Sequence, residues 1–377
     1  MRVWIVTTSY PRNPDESINA GVLVRDAALV LKDRGLDVTV VTPDKPGGIL
    51  LDRGINGIVL SWIWPTLNMA DLSPRRPADW IRITSLFATS AVRLWRRARR
   101  RPPDAIVAFW AIPSGVFARW IGGWSGAPYV VWLLGSDVWK VRSFPLGQRL
   151  LRFVLRGARA TYADGRELAS EAEKLTGIDV RFLPSSRRLP RDAGLEAEPV
   201  DILFIGRYHP NKGPDVLIEA FALAHQARPD LTLRLHGLGE LRADLEQQVS
   251  RLGLTGAVQI GGPLSATEVR AALEAAKVLA IPSRIESVPL ILGDAGQAGV
   301  PVVVSDVGDM RELVDQGGLG YSVPAEDPAA LSEALLLVVE GGLESRVDAA
   351  RSDGLSIDRA IETILRDLEP EKSQPAR

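Results

Sequence analysis

Apolar residues in this chain come in short unbroken runs, separated by longer stretches in which they recur every three or four positions. Arg2–Thr8, Val38–Val41, Asp104–Phe109 and Tyr129–Leu134 are runs of the first kind. A strand-length run that is apolar at nearly every position predicts a parallel strand buried on both faces. The stretch from Gly21 to Gly35 is of the second kind. Val24, Ala27, Ala28 and Leu31 lie on one side and Arg25, Lys32 and Asp33 on the other, which predicts a helix. Strand, helix, strand with a short crossover is a βαβ unit and calls for parallel pairing. The alternation continues with a strand at Gly57–Leu60, a helix at Ile81–Arg100, helices at Ile112–Gly122 and Arg149–Arg156, and a strand at Arg159–Ala163. A helix over Asp164–Leu175, with Asp164 as its N-cap, and a strand at Val180–Leu183 complete the first array.

The pattern lapses over Pro184–Pro199, which is proline-rich, charged and aperiodic and reads as a linker between domains. It then resumes. Strands are expected at Asp201–Ile205, Leu231–His236, Val258–Ile260, Val278–Ile281 and Val302–Val304, and helices at Val216–Ala227, Thr267–Ala276 and Leu290–Ala298. Ser356–Leu368 is amphipathic through Ile357, Ile361, Ile364 and Leu368, and the polar tail 370–377 is expected to be disordered. The expected organisation is α/β: a first domain over 1–184, a linker over 185–199, a second domain over 200–355 and a final helix over 356–369. Two βα arrays separated by a linker predict two Rossmann-like, doubly wound parallel sheets facing across a cleft.

Composition sharpens this in a few places. Of 377 residues, 46% are hydrophobic and 24% charged, as in a soluble globular enzyme. There is no cysteine, which excludes disulfides and thiolate metal sites. No apolar run approaches the roughly 18–20 residues that span a bilayer, and the N-terminal run reads as a strand rather than a signal peptide. A cytoplasmic protein is expected. The net charge of −1 gives no overall attraction to nucleic acid. All ten tryptophans precede Lys140 and all three histidines lie in the second half, so the first half supplies no histidine base. Arg93–Arg101 carries six arginines around Trp95. A solvated helix end is one reading; peripheral contact with anionic lipid on the inner face of a membrane is the preferred one. No nucleic-acid motif accompanies the patch.

Candidate chemistry concentrates in the second half. Gly206 follows a strand, Arg207 and Lys212 stand five residues apart, and Gly213 precedes a helix. A guanidinium fork and an ammonium beside a helix start make a cradle for a diphosphate, though not with Walker spacing. Further on, Glu286 and Asp294 flank a second helix start at Ser287–Leu290, where free backbone N–H groups such as those of Val288 and Leu290 suit a phosphate. A ligand with hydroxyls on both sides of a diphosphate is one reading of the two acids. An N-terminal acid that caps the helix and an acid paired with an arginine is the other. Asp137, after the strand ending at Leu134, either orients an acceptor hydroxyl or caps the next helix. Gly237 opens a tight turn after the strand ending at His236.

Glu286–x7–Asp294, followed by GVPVVVSDVGDMREL, resembles the signature of the retaining, nucleotide-sugar-dependent glycosyltransferases of family 4, which have the GT-B fold. The segment Gly206-Arg207 to Lys212-Gly213 resembles the family's diphosphate-neutralising loop, and Gly21 its first-loop glycine. Leu134-Gly135-Ser136-Asp137 resembles its His–Gly–x–Asp segment, with leucine at the histidine position. The resemblance implies a C-terminal helix crossing back to the first domain and a nucleoside-diphosphate sugar, such as a UDP- or GDP-sugar, as donor. It implies catalytic roles for Glu286, Arg207, Lys212 and Asp137. Donor binding falls to Gly21, Gly206, Gly237, Ser287, Val288, Leu290 and Asp294. No cofactor and no bound metal are expected, and no Asp-x-Asp pair occurs. The implied acceptor is a glycan or a lipid-linked hydroxyl, in cell-envelope glycan, glycolipid or polysaccharide synthesis. Where the family has Glu, Gly and Pro-Asn-Gly-Val-Asp, this chain has Asp294, Ser287 and Pro184-Ser185-Ser186-Arg187-Arg188. These departures motivate the alternative: a non-catalytic subunit of the same fold that binds a sugar nucleotide or a partner glycosyltransferase.

Overall fold

A computed structural model of the chain describes residues 1–11, 21–51, 53–63, 65, 76–142, 144–190, 194–341 and 355–369. The tail 370–377 and residues 12–20 lie outside these. The chain divides into two compact units, Met1–Leu183 with Ile357–Arg377, and Pro184–Ser356.

The first unit is built on seven strands: β1 (Arg2–Val6), β2 (Asp37–Pro43), β3 (Asn56–Leu60), β4 (Ala105–Phe109), β5 (Tyr129–Leu133), β6 (Ala160–Ala163) and β7 (Arg181–Phe182). They pair in parallel in the order β3-β2-β1-β4-β5-β6-β7. Because successive side chains point to opposite faces, alternate residues feed two cores. Val3, Ile5, Val107 and Val130 face helix α1 (Gly21–Asp33). Trp4, Val6, Ile106 and Val131 face α2 (Pro77–Arg100), α3 (Val116–Ser125), α5 (Pro145–Arg156) and α6 (Arg166–Thr176). The short α4 (Ser136–Trp139) adds Val138 to this second core.

The C-terminal helix Ile357–Leu368 rejoins this unit and packs on α1, burying Ile357, Ala360, Ile361, Ile364 and Leu368. These positions form one helical stripe. Its end is held by Arg159, whose Nε donates to the Asp367 carbonyl at 2.6 Å and Nη2 to that of Glu369 at 2.9 Å.

The second unit is a six-stranded parallel sheet. Its strands are β8 (Val200–Ile205), β9 (Leu233–His236), β10 (Val258–Gly261), β11 (Ala276–Ile281), β12 (Val302–Ser305) and β13 (Gly320–Val323), in the order β10-β9-β8-β11-β12-β13. Helices α7 (Pro214–Ala227), α8 (Arg242–Arg251) and α12 (Pro328–Val339) share a core with the strands through Phe221, Leu245 and Leu335. The remaining helices are α9 (Ala266–Glu274), α10 (Leu290–Ala298) and α11 (Met310–Gly317). The chain winds outward from β8 to β10, then returns to β11 on the other side of β8. That reversal is the switch point at which open α/β sheets bind ligands.

Some local expectations are corrected. The helix expected from Asp164 starts at Arg166, with Gly165 as N-cap and no side-chain cap. The helix expected from Ile112 starts at Val116, after an irregular turn over Ala111–Gly115. Residues Ser185, Ser186, Arg187 and Leu189, read as linker, are buried in the second unit.

Candidate functional site

Strands β8 and β11 pair directly, Ile202 against Val278 and Leu203 against Leu279, so the loops after them emerge side by side at the switch point. The β8 loop carries Gly206, Arg207 and Lys212; the β11 loop carries Glu286, Ser287 and Val288. Lys212 Nζ meets the Glu286 carboxylate across the two loops, with the side chains only 22% and 16% exposed. Two residues 74 positions apart thus become one ion pair over the seam of the sheet. Arg207 is exposed, and among the described residues it has no carboxylate partner.

Two glycines set this geometry. Gly213 has φ +63°, and a Cβ there would lie 2.0 Å from the carbonyl oxygen of Pro282, so the β8 loop rests on the start of the β11 loop. A Cβ at Gly237 would lie 1.8 Å from the carbonyl oxygen of Gly206, which seats the β9 turn against the β8 loop. Any side chain at either position forces the loops apart. Gly213→Ala is expected to lower stability by at least about 2 kcal/mol, from left-handed strain and the clash together. The loss reads out as a lower denaturation midpoint in urea, and an unchanged midpoint would contradict the contact.

Arg284 is a site residue that no sequence motif marks. Its guanidinium donates to Asp215 Oδ1 at 2.9 Å and Oδ2 at 2.7 Å, to Glu326 Oε1 at 2.8 Å and to the Pro210 carbonyl at 2.7 Å. Its backbone N–H donates to the Asn211 carbonyl at 2.8 Å. One arginine therefore clamps the two loops that carry Lys212 and Glu286. His209 caps the turn Pro210–Lys212, its Nδ1 accepting from the Asn211 N–H at 3.1 Å. His236 lies within 3.3 Å of the Gly262 carbonyl, and burial lowers its pKa. Both rings are thus engaged with nearby backbone groups.

The helix start between the two acids is α10. Its first residue is Leu290, Pro289 is its N-cap, and no side chain caps it. Glu286 therefore does not take the capping role; it pairs with Lys212. Asp294 is placed differently from Glu286. It is fully buried, and Arg187 Nε donates to its Oδ1 at 3.0 Å and Oδ2 at 2.9 Å, with Nη2 at 2.5 Å from Oδ2. Burial pushes its carboxyl pKa up, and Arg187 opposes this. The expectation that Asp294 offers its oxygens to a ribose is not what the structure arranges; the arginine-paired reading is. Gln297 adds to the junction, donating to the Arg187 carbonyl at 2.9 Å and accepting from the Leu189 N–H at 3.0 Å. Helix α10 is thereby stapled to the segment after residue 184.

In the first unit, Gly21 begins α1, where a Cβ would lie 3.2 Å from backbone atoms of Tyr10 and Pro11. Leu134 packs against the core under α1. Asp137 is 4% exposed. Its Oδ2 accepts from the Ala111 N–H at 2.7 Å and its Oδ1 is 3.4 Å from the Leu134 nitrogen. Gly135, not Asp137, occupies the N-cap of α4, so the capping reading is corrected. The carboxylate holds the turn that follows Trp110, a non-glycine residue at φ +67°. Desolvation by burial raises its pKa to about 6, against the backbone hydrogen bonds, which lower it.

At Asp137 the folded state thus keeps a proton that the unfolded chain has lost between about pH 4 and 6, so the contribution of this group to stability falls as pH rises through that window. The change is about 3 kcal/mol from about pH 4 to 7. Asp137→Asn is expected to remove that slope from urea-melt stability; a slope equal to that of the native chain would contradict the assignment.

Two family models match consecutive parts of the chain: "Glycosyl transferase 4-like domain" over residues 20–185 and "Glycosyl transferases group 1" over residues 185–352. A D-inositol 3-phosphate glycosyltransferase of Pseudarthrobacter chlorophenolicus is 34% identical over 182 residues, covering 47% of this chain and 43% of that protein. One from Nocardioides sp. is 36% identical over 181 residues, 44% of this chain and 40% of that protein. The chain thus matches less than half the length of these curated relatives. Among solved structures, Anabaena HepE in complex with UDP and glucose has a TM-score of 0.69 at 19% identity, covering 98% of this chain and 99% of that one. Sucrose-phosphate synthase from Thermosynechococcus elongatus has a TM-score of 0.63 at 18% identity, covering 96% and 94%. These likenesses show the GT-B fold. With the two family models meeting end to end, the chain belongs to the group 1 glycosyltransferases.

Proposed function

We propose that this protein moves a sugar from a nucleoside-diphosphate sugar to a hydroxyl acceptor with retention of configuration. The observation that carries the proposal is the Lys212–Glu286 pair at the switch point of the second sheet, beside exposed Arg207 and the start of α10, which has no side-chain cap among the described residues. The pair is a placeholder for a ligand of matching polarity. A diphosphate takes Lys212 and Arg207, and the donor sugar's hydroxyls take Glu286. N–H groups of Val288 and Leu290 complete the phosphate contacts, with Ser287 between the two. Gly206 and Gly237 let the backbone approach the nucleotide. The neighbour holding UDP and glucose supports this donor class, and the relatives named as glycosyltransferases support the reaction class.

In the reaction, the bond from the anomeric carbon to the diphosphate oxygen breaks while a bond to the acceptor oxygen forms on the same face. The acceptor's proton passes to the departing phosphate. Negative charge grows on that phosphate, so preorganised Arg207 and Lys212 stabilise the transition state more than the ground state. In this reading the two cations do what a divalent metal does elsewhere, and no further cofactor is needed. Asp137 is withdrawn from the catalytic set, because its oxygens are turned onto backbone donors. Gly21, at the start of α1 in the first unit, remains a proposed donor-binding glycine. The acceptor is a glycan or a lipid-linked hydroxyl of the cell envelope, and the site of action is the cytoplasm. Among the described residues, no helix is long and apolar enough to cross a membrane.

Release of nucleoside diphosphate from a panel of UDP- and GDP-sugars, followed with the purified chain, tests this reading. Turnover with one donor supports it. Binding without turnover favours the non-catalytic alternative, for which the closed Asp294 and the leucine at position 134 are the specific observations.

A further inference from the structure

The charge of the first unit is distributed in a way that donor binding does not use. Between Pro77 and Arg159 the sequence holds fourteen Lys or Arg and three Asp or Glu, in a chain of formal net charge −1. None of the three acids offsets the exposed cations. Asp137 is buried, Asp79 is buried against Arg82, and Asp104 is paired with Arg2. The solvent-facing surface of α2, α3 and α5 therefore carries positive charge alone.

An ordinary solvated helix face does not account for it. Elsewhere in this chain, helix arginines find glutamates one turn away: Arg242 with Glu246, Arg270 with Glu274, and Arg366 with Glu362. On α2 and α5, Arg96, Arg97, Arg100, Arg149 and Arg156 have no carboxylate partner among the described residues. Like charges at these spacings repel, so the arrangement costs stability unless an anionic partner meets it.

The same face exposes large apolar side chains. On α2, Val92 is 52% and Trp95 41% exposed; on α5, Leu146 is 61% and Phe153 47% exposed. The two helices lie on one side of the sheet and belong to one core, with α3 packed on α2. Arg119 of α3 reaches α5, its guanidinium 4.0 Å over the Phe153 ring, and Arg99 stands 5.2 Å over Trp95. A recess of about 370 Å³ opens between Val92 and four arginines of α2, Arg93, Arg96, Arg97 and Arg100.

We infer that the α2–α3–α5 face docks on an anionic lipid bilayer. Phosphate headgroups meet the arginines, while Trp95, Val92, Leu146 and Phe153 enter the boundary between headgroups and acyl chains. Both halves of the surface are used only by this partner. A nucleic acid would satisfy the charge but not the apolar residues, and an apolar protein groove would satisfy the reverse. Arginine stems lying along apolar surface, with their heads at the headgroups, suit such an interface.

The test is co-sedimentation of the full chain with phosphatidylcholine vesicles, with and without one third phosphatidylglycerol. The native chain is expected to pellet with the anionic vesicles and stay in solution with the neutral ones, and salt is expected to weaken the binding. Arg96→Glu with Arg100→Glu and Arg149→Glu is expected to lower partitioning by about tenfold or more. Trp95→Ser with Leu146→Ser is expected to lower it without altering the preference for anionic lipid. Unchanged melting temperatures show that the variants fold. Equal binding to both vesicle types, undiminished binding by the triple variant, or preference for duplex DNA over anionic vesicles would overturn the inference. No donor enters the assay, so a chain that ignores vesicles yet binds a sugar nucleotide refutes this inference alone.

Discussion

Glu286→Gln is expected to reduce sugar transfer by about 10³-fold while leaving the fold and the nucleotide affinity nearly intact. The amide occupies the same volume and keeps one acceptor oxygen, so the β11 loop has no steric reason to move. What is lost is charge. Among the described residues Glu286 is the carboxylate paired with Lys212, and in the proposed complex it accepts hydrogen bonds from the donor sugar as positive charge develops at the anomeric carbon. Removal of a single preorganised group of this kind costs about 10²–10³ in turnover, and the variant also leaves Lys212 without its neutralising partner. The effect therefore belongs in turnover rather than in Michaelis constant, because the diphosphate contacts through Arg207 and Lys212 remain. Steady-state rates of nucleoside diphosphate release check it. A variant that turns over normally would remove Glu286 from the mechanism, and one that fails to bind the nucleotide would make its role structural.

Arg187→Ala is expected to destabilise the second unit by about 3–5 kcal/mol. The substitution strands the Asp294 carboxylate in a site with no exposed surface. Breaking one side of a buried ion pair leaves an uncompensated charge, which costs more than the intact pair contributes. Against a total stability of about 5–15 kcal/mol the loss is large. It also releases α10, whose N-terminus belongs to the proposed phosphate site, from the segment that holds it. A double variant separates the causes. Arg187→Met with Asp294→Leu removes both charges at similar volume and is expected to recover most of the stability. Urea denaturation of the single and double variants gives the comparison. A single variant as stable as the native chain would show that the pair is dispensable.

The strands were legible because they are buried on both faces, and a short unbroken apolar run such as Val302–Val304, bounded by Pro301 and polar Ser305, suits an interior strand and little else. Local signals failed where capping is done by backbone or glycine. Asp164 has the chemistry of a cap, but Gly165 takes the position. Helix α12, PAALSEALLLVV, is apolar nearly all round and gave no periodic stripe to follow, although Asp327 accepts from the Ala330 N–H at its start. The site divided in the same way. The loop with Arg207 and Lys212 and the loop with Glu286 could each be found from strand, glycine and helix order. That Lys212 and Glu286 meet depends on strand order, which places β11 beside β8 and is not a local property. Arg187 and Arg284 escaped notice because an arginine in a charged, proline-containing stretch reads as solvated. Only the fold shows that each is matched to a carboxylate, Asp294 and Asp215. The surroundings of Asp137 were hidden for a related reason: its partner, the Ala111 N–H, is 26 residues away in a turn that no side-chain pattern announces.

The proposed sugar transfer turns on whether the switch point of the second sheet binds a nucleoside-diphosphate sugar through Arg207 and Lys212. Titration calorimetry of the full chain against UDP- and GDP-sugars, repeated with Arg207→Ala and with Lys212→Ala, answers this. Saturable binding of one donor to the native chain is expected, with a loss of affinity of about tenfold or more for each variant, as removal of a charge-assisted hydrogen bond entails. No heat of binding with any donor, or native-like affinity in both variants, would contradict the assignment of the site.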